Sequence, residues 1–356
     1  AARMNDPAPS VALILQLLDR TVGTSFFMPA GLIVDGNPLP YAGGQPLLWQ
    51  HLFWFYSHPA VYIMILPAFG IVSDILANFA RKPLFGYRSM IYATASIAGL
   101  GFLVWAHHMF ASGMNPALGT SFMAATMVIA VPTGVKFFNW LATLWKGSIR
   151  LVTPMLHAVI FIAVFLIGGL TGIFAASMPV DLYLHDTYFI VGHLHYVLFG
   201  GSLFGTFAGI TYWFPKMFGR HLSEGMGKLH AIGSFIFFNA VFFPMFILGV
   251  GGMPRRIYDY TQYAHLAGAG PLNRMISVSA FLLFLFQLIF VVNIFWSLAK
   301  GRKAEENPWE STTLEWATSS PPPHGNFATT PTVYHGPYEY SVPGRKTDWL
   351  PQHVKG

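Results

Sequence analysis

The sequence predicts an all-α, polytopic transmembrane helical bundle followed by a Pro-rich tail. Two observations carry this. Of 356 residues, 54% are hydrophobic and only 10% charged, with mean hydropathy +0.51. A soluble chain of this length needs more charge to cover its surface. Seven apolar stretches also reach the roughly 20 residues that a helix needs to cross a bilayer.

The spans are expected near Trp49–Ile75, Ser89–Ala111, Gly119–Trp145, Thr153–Ala176, Tyr188–Phe214, Lys228–Val250 and Arg274–Leu298. Residues 1–48 read as a partial helix and an outer-side loop, 49–300 as the bundle, and 301–356 as an irregular cytoplasmic tail. The apolar stretch Val11–Leu18 is too short to span and is no signal peptide, so the chain is expected to begin inside a longer protein. From Glu305 the tail is rich in Pro, Ser, Thr and Tyr, with no helical period.

The connections set the orientation. Ala80–Arg88, Trp145–Arg150, Pro215–His221 and Ala299–Lys303 are basic, whereas Gly113–Leu118 and Met178–Asp186 carry no Lys or Arg. The basic set is therefore expected to face the cytoplasm. The net charge of +6 belongs to span ends and calls for no nucleic-acid partner. Gly252–Tyr260 is the exception, placing Arg255 and Arg256 outside, which invites an anionic partner. Cysteine is absent, so any thiolate copper or Fe–S centre must sit on another chain.

Ionisable side chains within spans are costly and each needs a reason. His58, His107, His108, His193 and His195 fall on three spans at similar depth in the outer third. One such histidine alone is most often a satisfied core residue, but five at one level suit copper, iron or zinc. His193 and His195 are about 200° apart around a helix, so one helix can serve two centres on opposite flanks. His107 and His108 are about 100° apart and reach one metal only where the helix is distorted. His58 could supply a third ligand, leaving an open position as a reactive metal site requires. Tyr62 lies one turn from His58, at i+4. Lys136 lies too deep for ordinary snorkelling and reads as a proton relay, with Thr133 one turn away.

These segments resemble subunit I of the haem–copper oxygen reductases. The residues that carry the resemblance are WQHLFWFYSHPAVY (Trp49–Tyr62), WAHHMF (Trp105–Phe110), PTGVKFFNWLATL (Pro132–Leu144), LHDTYFIVGHLHYVLFGG (Leu184–Gly201) and GMPRRIYDY (Gly252–Tyr260), with TSFF (Thr24–Phe27) before them. The resemblance implies that His58, His107 and His108 bind copper B and that Tyr62 is covalently linked to His58. It makes His193 the ligand of a high-spin haem and His195 a ligand of a low-spin haem, both haems being of A type. Arg255 and Arg256 would hold haem propionates, and His185 and Asp186 would belong to a magnesium site. Lys136, Thr133 and Ser73 match a proton pathway.

Two departures from the family accompany this. Where the family usually has a glutamate, two residues after the copper-binding histidine, this chain has Ala60. Tyr56 and Ser57 in the YSHP sequence would supply hydroxyls instead, as in variant A-type oxidases. The family fold also has about twelve spans, so about five that precede this region, including one bearing the second low-spin haem ligand, lie on a missing N-terminal half. The implied partners are subunit II with a dinuclear copper centre, with or without a fused cytochrome c, together with subunit III and cytochrome c as donor. The implied reaction is proton-pumping reduction of O2 to water in a bacterial plasma membrane. A quinol oxidase would share nearly every motif. An ion transporter is the alternative from another class, though transporters favour midplane sites in repeated halves.

Overall fold

The computed structural model describes residues 46–356 continuously and, before them, residues 13–15, 17, 18, 21, 22, 33, 34, 37 and 38. The motif Thr24–Phe27 and most of the expected 1–48 segment lie outside the described residues. A two-residue hairpin pairs β1 (Ile33–Val34) with β2 (Asn37–Pro38). Ten α-helices follow among the described residues: α1 (Pro46–Ala80), α2 (Tyr87–Leu100), α3 (Pro116–Val128), α4 (Ala130–Leu144), α5 (Thr153–Ala176), α6 (Met178–Leu184), α7 (Tyr188–Val197), α8 (Phe204–Phe218), α9 (Glu224–Val250) and α10 (Gly270–Lys300).

Among the described residues, six helical segments are long and apolar enough to cross a membrane: Pro46–Ala80, Pro116–Leu144, Thr153–Ala176, Tyr188–Phe218, Glu224–Val250 and Ala264–Lys300. They match six of the seven expected spans. The stretch expected as Ser89–Ala111 differs. Its α-helix stops at Leu100, and a 3-10 turn over Trp105–Met109 replaces the last turns. Glycine flanks the stop on both sides, at 99 and 101, and glycine is a weak helix former. Gly101 is also required by contact, since a Cβ there would lie 2.8 Å from Cδ2 of Tyr62.

The helix Tyr188–Phe218 is continuous but not uniform. A π turn over Leu198–Leu203 joins α7 to α8, just after the histidine pair. Such turns concentrate at functional sites, because the extra residue per turn re-aims the side chains before it. Gly200 packs on Val164, and Gly201 on Ile65 and Phe165. The buried centre of the bundle is aromatic, with Phe69, Trp140, Phe161, Phe165, Tyr196, Phe204 and Phe238 in contact across α1, α4, α5 and α7–α9.

The basic connections gather at one end of the bundle, under the tail. Lys82 donates from Nζ to the carbonyls of Ala142 (2.9 Å) and Trp145 (2.5 Å). Arg81, only 2% exposed, pairs with Glu310 of the tail at 2.5 Å, and Arg150 pairs with the same carboxylate at 2.8 Å. Tyr338 and Tyr340 of the tail donate to Asp74 and Asn78 of α1. The tail has one 3-10 turn, Leu314–Ala317, with Trp316 buried in it. At the opposite end Asp186 meets Arg255, and Thr187 pairs with Pro254.

Candidate metal centre

His58 sits on α1, buried, followed by Pro59, which removes one helix hydrogen bond beside it. His107 and His108 sit on the 3-10 turn that α1 packs against. A 3-10 turn has three residues per turn and eases the angle between consecutive side chains. Both imidazoles consequently reach the same point. His58 Nδ1 lies 3.2 Å from His108 Nε2, and His107 Nε2 lies 3.1 Å from the same atom. One ligand nitrogen from each of the three rings falls within 4.8 Å of the others, and no other group of three or more His, Asp or Glu converges in this way among the described residues. Nitrogen lone pairs facing one another in a buried site repel unless a proton or a cation lies between them. The set is neutral, all-imidazole and without carboxylate, which fits copper.

Neighbouring groups fix the rings. His107 Nδ1 is 3.1 Å from Thr126 Oγ1 on α3, and Thr126 Oγ1 donates to the Phe122 carbonyl at 2.6 Å. The Thr126 hydroxyl proton is thus committed, so His107 is the donor and its Nε2 is left as the lone-pair nitrogen. Trp54 stacks on His108 at 3.7 Å between centroids and 12° between planes. Sequence reading did not find Thr126 or Trp54, since neither type at those places signals metal by itself. His58 Nε2 is buried with no hydrogen-bond partner. The Tyr62 ring stands beside the same imidazole, centroids 4.7 Å apart at 72°.

His193 and His195 leave α7 on opposite flanks, as their spacing predicts. His193 faces α5: its Nδ1 is 3.0 Å from the Gly168 carbonyl and 3.1 Å from Thr171 Oγ1. Gly172 makes room for the ring, since a Cβ there would sit 3.0 Å from Cε1. His195 faces α9, with Nδ1 2.8 Å from the Val191 carbonyl and its ring stacked on Phe242 at 4.1 Å. The Nδ1–carbonyl contacts are what fix a ligating histidine's tautomer.

At the outer end Asp186 Oδ1 takes Arg255 at 2.6 Å and Arg256 at 3.8 Å. His185 lies 3.4 Å from Asp181 and 3.6 Å from Asp186. Beside the Asp181 carboxylate, and against its own burial, the His185 imidazole is held above its ordinary range. Burial alone would raise Asp186, but Arg255, His185 and Arg256 together hold it below the usual carboxylate range. Asp186 and Arg256 both adopt positive φ, at 55° and 67°, a strained backbone kept by these contacts.

The expected proton-path residues are not brought together as a group. Lys136 is 2% exposed and does not snorkel; its Nζ donates to Thr94 Oγ1 at 2.7 Å and lies over the Phe69 and Trp140 rings. Thr133 Oγ1 donates to the Ile129 carbonyl, and Ser73 Oγ to the Phe69 carbonyl while accepting from Trp140 Nε1. Ser57 Oγ is buried without a hydrogen-bond partner, and Tyr56 is exposed.

A family model described as cytochrome c and quinol oxidase polypeptide I matches residues 6–282. The chain is 51% identical, over 95% of its length, to cytochrome c oxidase subunit 1 of Synechocystis. It is 47% identical, over 97%, to the protein of that name in Thermostichus vulcanus, and 47% identical, over 98%, to an alternative cytochrome c oxidase subunit 1 of Bradyrhizobium diazoefficiens. It spans 59%, 60% and 59% of those relatives' lengths. A cryo-EM structure of a haem–copper terminal oxidase dimer superposes with TM-score 0.67 at 23% identity, covering 73% of this chain and 51% of that one, which shows a shared fold. With three histidines converging and a fourth and fifth on opposite flanks of one helix, the chain belongs to the cytochrome c and quinol oxidase polypeptide I family.

Proposed function

We propose that this chain is the metal-bearing part of the catalytic subunit of a terminal respiratory oxidase. It would reduce O2 to water with electrons from cytochrome c and couple that to proton translocation. The observation that carries this is the convergence of His58, His107 and His108, with His193 and His195 on opposite flanks of α7. The names of the relatives support cytochrome c, and not quinol, as donor.

His58, His107 and His108 would hold copper B, His193 the iron of a high-spin haem, and His195 one side of a low-spin haem. Both haems are taken as A-type from the resemblance. Bound there, iron and copper supply the redox chemistry of oxygen reduction; the protein supplies ligation, orientation and proton access. The 3-10 turn holds two copper ligands in one rigid piece, and Thr126 keeps the lone pair of His107 aimed inward. His58 Nε2, buried and unbonded, is the atom available for the covalent link to Tyr62, whose hydroxyl would then deliver a proton at the pocket. Arg255 and Arg256 would hold the propionates of the haems, Arg255 already braced by Asp186. His185 and Asp186 would serve magnesium, with the remaining ligands from a partner subunit.

The loops gathered beneath the tail carry the Lys and Arg, which supports a reading in which that end, with the tail, would face the cytoplasm. The membrane would be the bacterial plasma membrane. Subunit II with a dinuclear copper centre, with or without a fused cytochrome c, and subunit III would complete the complex. In the absence of a glutamate at Ala60, the buried Ser57 hydroxyl with Tyr56 would carry protons near the pocket. In the double variant Ser57→Ala with Tyr56→Phe, proton translocation per electron should fall while metal content stays native; unchanged translocation would rule these hydroxyls out.

Metal and haem analysis of the purified complex, with a reduced-minus-oxidised spectrum, tests the central reading. One copper lost in His107→Ala while haem persists is the expected result. A purified complex without haem bands would refute it and favour an ion transporter.

A further inference from the structure

A small apolar cluster, separate from the main core, gathers around the histidine turn. Met109 and Met114 are among its buried members, and Met123 and Met178 are half-buried against it. Methionine supplies four of its ten residues, but only 15 of the 356 in the chain, so the enrichment needs a reason. Apolar packing asks for no sulfur, since leucine fills a similar volume. The chain has no cysteine, so methionine is its one source of a soft sulfur donor.

Contacts bring the methionine tips together. Met123 Sδ accepts from the backbone N–H of Met178 at 3.4 Å, which ties α3 to the first residue of α6. A Cβ at Gly119 would lie 2.7 Å from Met178 Sδ and 3.6 Å from Met114 Cε, so both side chains end over that glycine. Gly119 is one turn before Met123 on α3, and Thr126 is one turn after it. Thr126 is the residue that braces His107, with 3.1 Å between Oγ1 and Nδ1. Met109 directly follows His108 and is fully buried. The thioethers therefore fill the space between half-buried Met178, at the end of the bundle opposite the basic loops, and the turn that carries two imidazoles of the trio.

We propose that Met114, Met123 and Met178 form a holding site for Cu(I), from which His58, His107 and His108 are loaded with copper. This rests on the reading of that trio as a copper site. Thioethers select Cu(I), and imidazole also suits copper. Uncharged sulfur is the weaker donor, so transfer runs inward. Copper–sulfur bonds break as copper–nitrogen bonds form. Neutral imidazoles bind through a lone pair and lose no proton, and the metal stays Cu(I), so no electron moves.

The test uses the assembled complex, purified anaerobically from copper-starved cells. It is titrated with Ag(I), a redox-inert ion that also favours thioethers, and separately with Cu(I). Native complex should bind one Ag(I) more than the double variant Met123→Leu with Met178→Leu, and that ion should show sulfur neighbours in silver-edge X-ray absorption. Leucine keeps the volume, so haem content should be native in both. The extra Ag(I) should persist in His107→Ala, which leaves the thioethers in place. Loading of the trio is read as the copper gained over His107→Ala. In the double variant it should slow about tenfold, the lower end of what an outer contact contributes to a metal site, and still reach the native content. Met217→Leu, half exposed at the opposite end, should change neither reading. Should the double variant lose haem, Met114→Leu carries the same expectation. Copper loading at native speed in the leucine variants would overturn the proposal, whether or not silver binds. A native complex that gains no copper over His107→Ala would overturn the reading of the trio, and the transfer with it.

Discussion

The Thr126 hydroxyl decides which nitrogen of His107 can bind a metal. Its own proton goes to the Phe122 carbonyl, so it can only accept from Nδ1, at 3.1 Å. Removing such an outer contact costs roughly 10–100-fold in metal affinity. Thr126→Val should therefore lower copper retention by that order during dialysis against a chelator, while haem content is unchanged. Equal retention would mean that His107 is oriented by the turn alone. At this scale the histidine cluster itself was legible: imidazoles at one depth in three spans need a common reason. Thr126 and Trp54 were not, because threonine and tryptophan in a membrane helix are usually packing, and only the fold brings α3 and α1 against the histidine turn.

The element that matters most is the break after Leu100. Read from hydropathy, Ser89–Ala111 is one span; in the structure it is a 14-residue helix and a 3-10 turn. Hydropathy averages over a window and cannot see that Gly101 lies under the Tyr62 ring. The need for distortion was legible, since His107 and His108 diverge by about 100° on a regular helix; its form was not. Gly101→Val should push the Tyr62 ring and the turn apart, at a cost of about 1–3 kcal/mol for overpacking. The expected readout is copper loss with both haem bands retained, and a lower thermal midpoint. Native copper content in this variant would show that the turn tolerates the displacement.

Across the whole molecule, the tail binds the loops of one end together through charge. Glu310 takes both Arg81 and Arg150, and the hydrogen bond from Arg150, followed by the charges of the two arginines, holds its carboxyl below the ordinary range. A carboxylate depressed on folding stabilises fully above its unfolded pKa, and the contribution is lost as pH falls through the folded value. Because Glu310 is half exposed, screening keeps the effect modest. Limited proteolysis of the 301–356 segment should accelerate as pH drops below the ordinary carboxylate range. In Glu310→Gln, cleavage should be faster at neutral pH and lose that acid dependence. Cleavage in Glu310→Gln that keeps the native pH profile would assign the tail's attachment to Tyr338, Tyr340 and Trp316 instead.

Composition and hydropathy determined that the chain is a helical bundle in a membrane, because burying apolar surface in lipid is a property of each segment by itself. The same holds for the opposed flanks of His193 and His195, which follow from helical pitch within a single helix. What needed the tertiary structure were relations between segments: the meeting of α1 with the histidine turn, the bracing of His107 by α3, and the turning of Lys136 toward Thr94 and not Ser73. Helix faces can pack in several registers of similar hydrophobic burial, and only close contacts, such as Gly101 against Tyr62, select one.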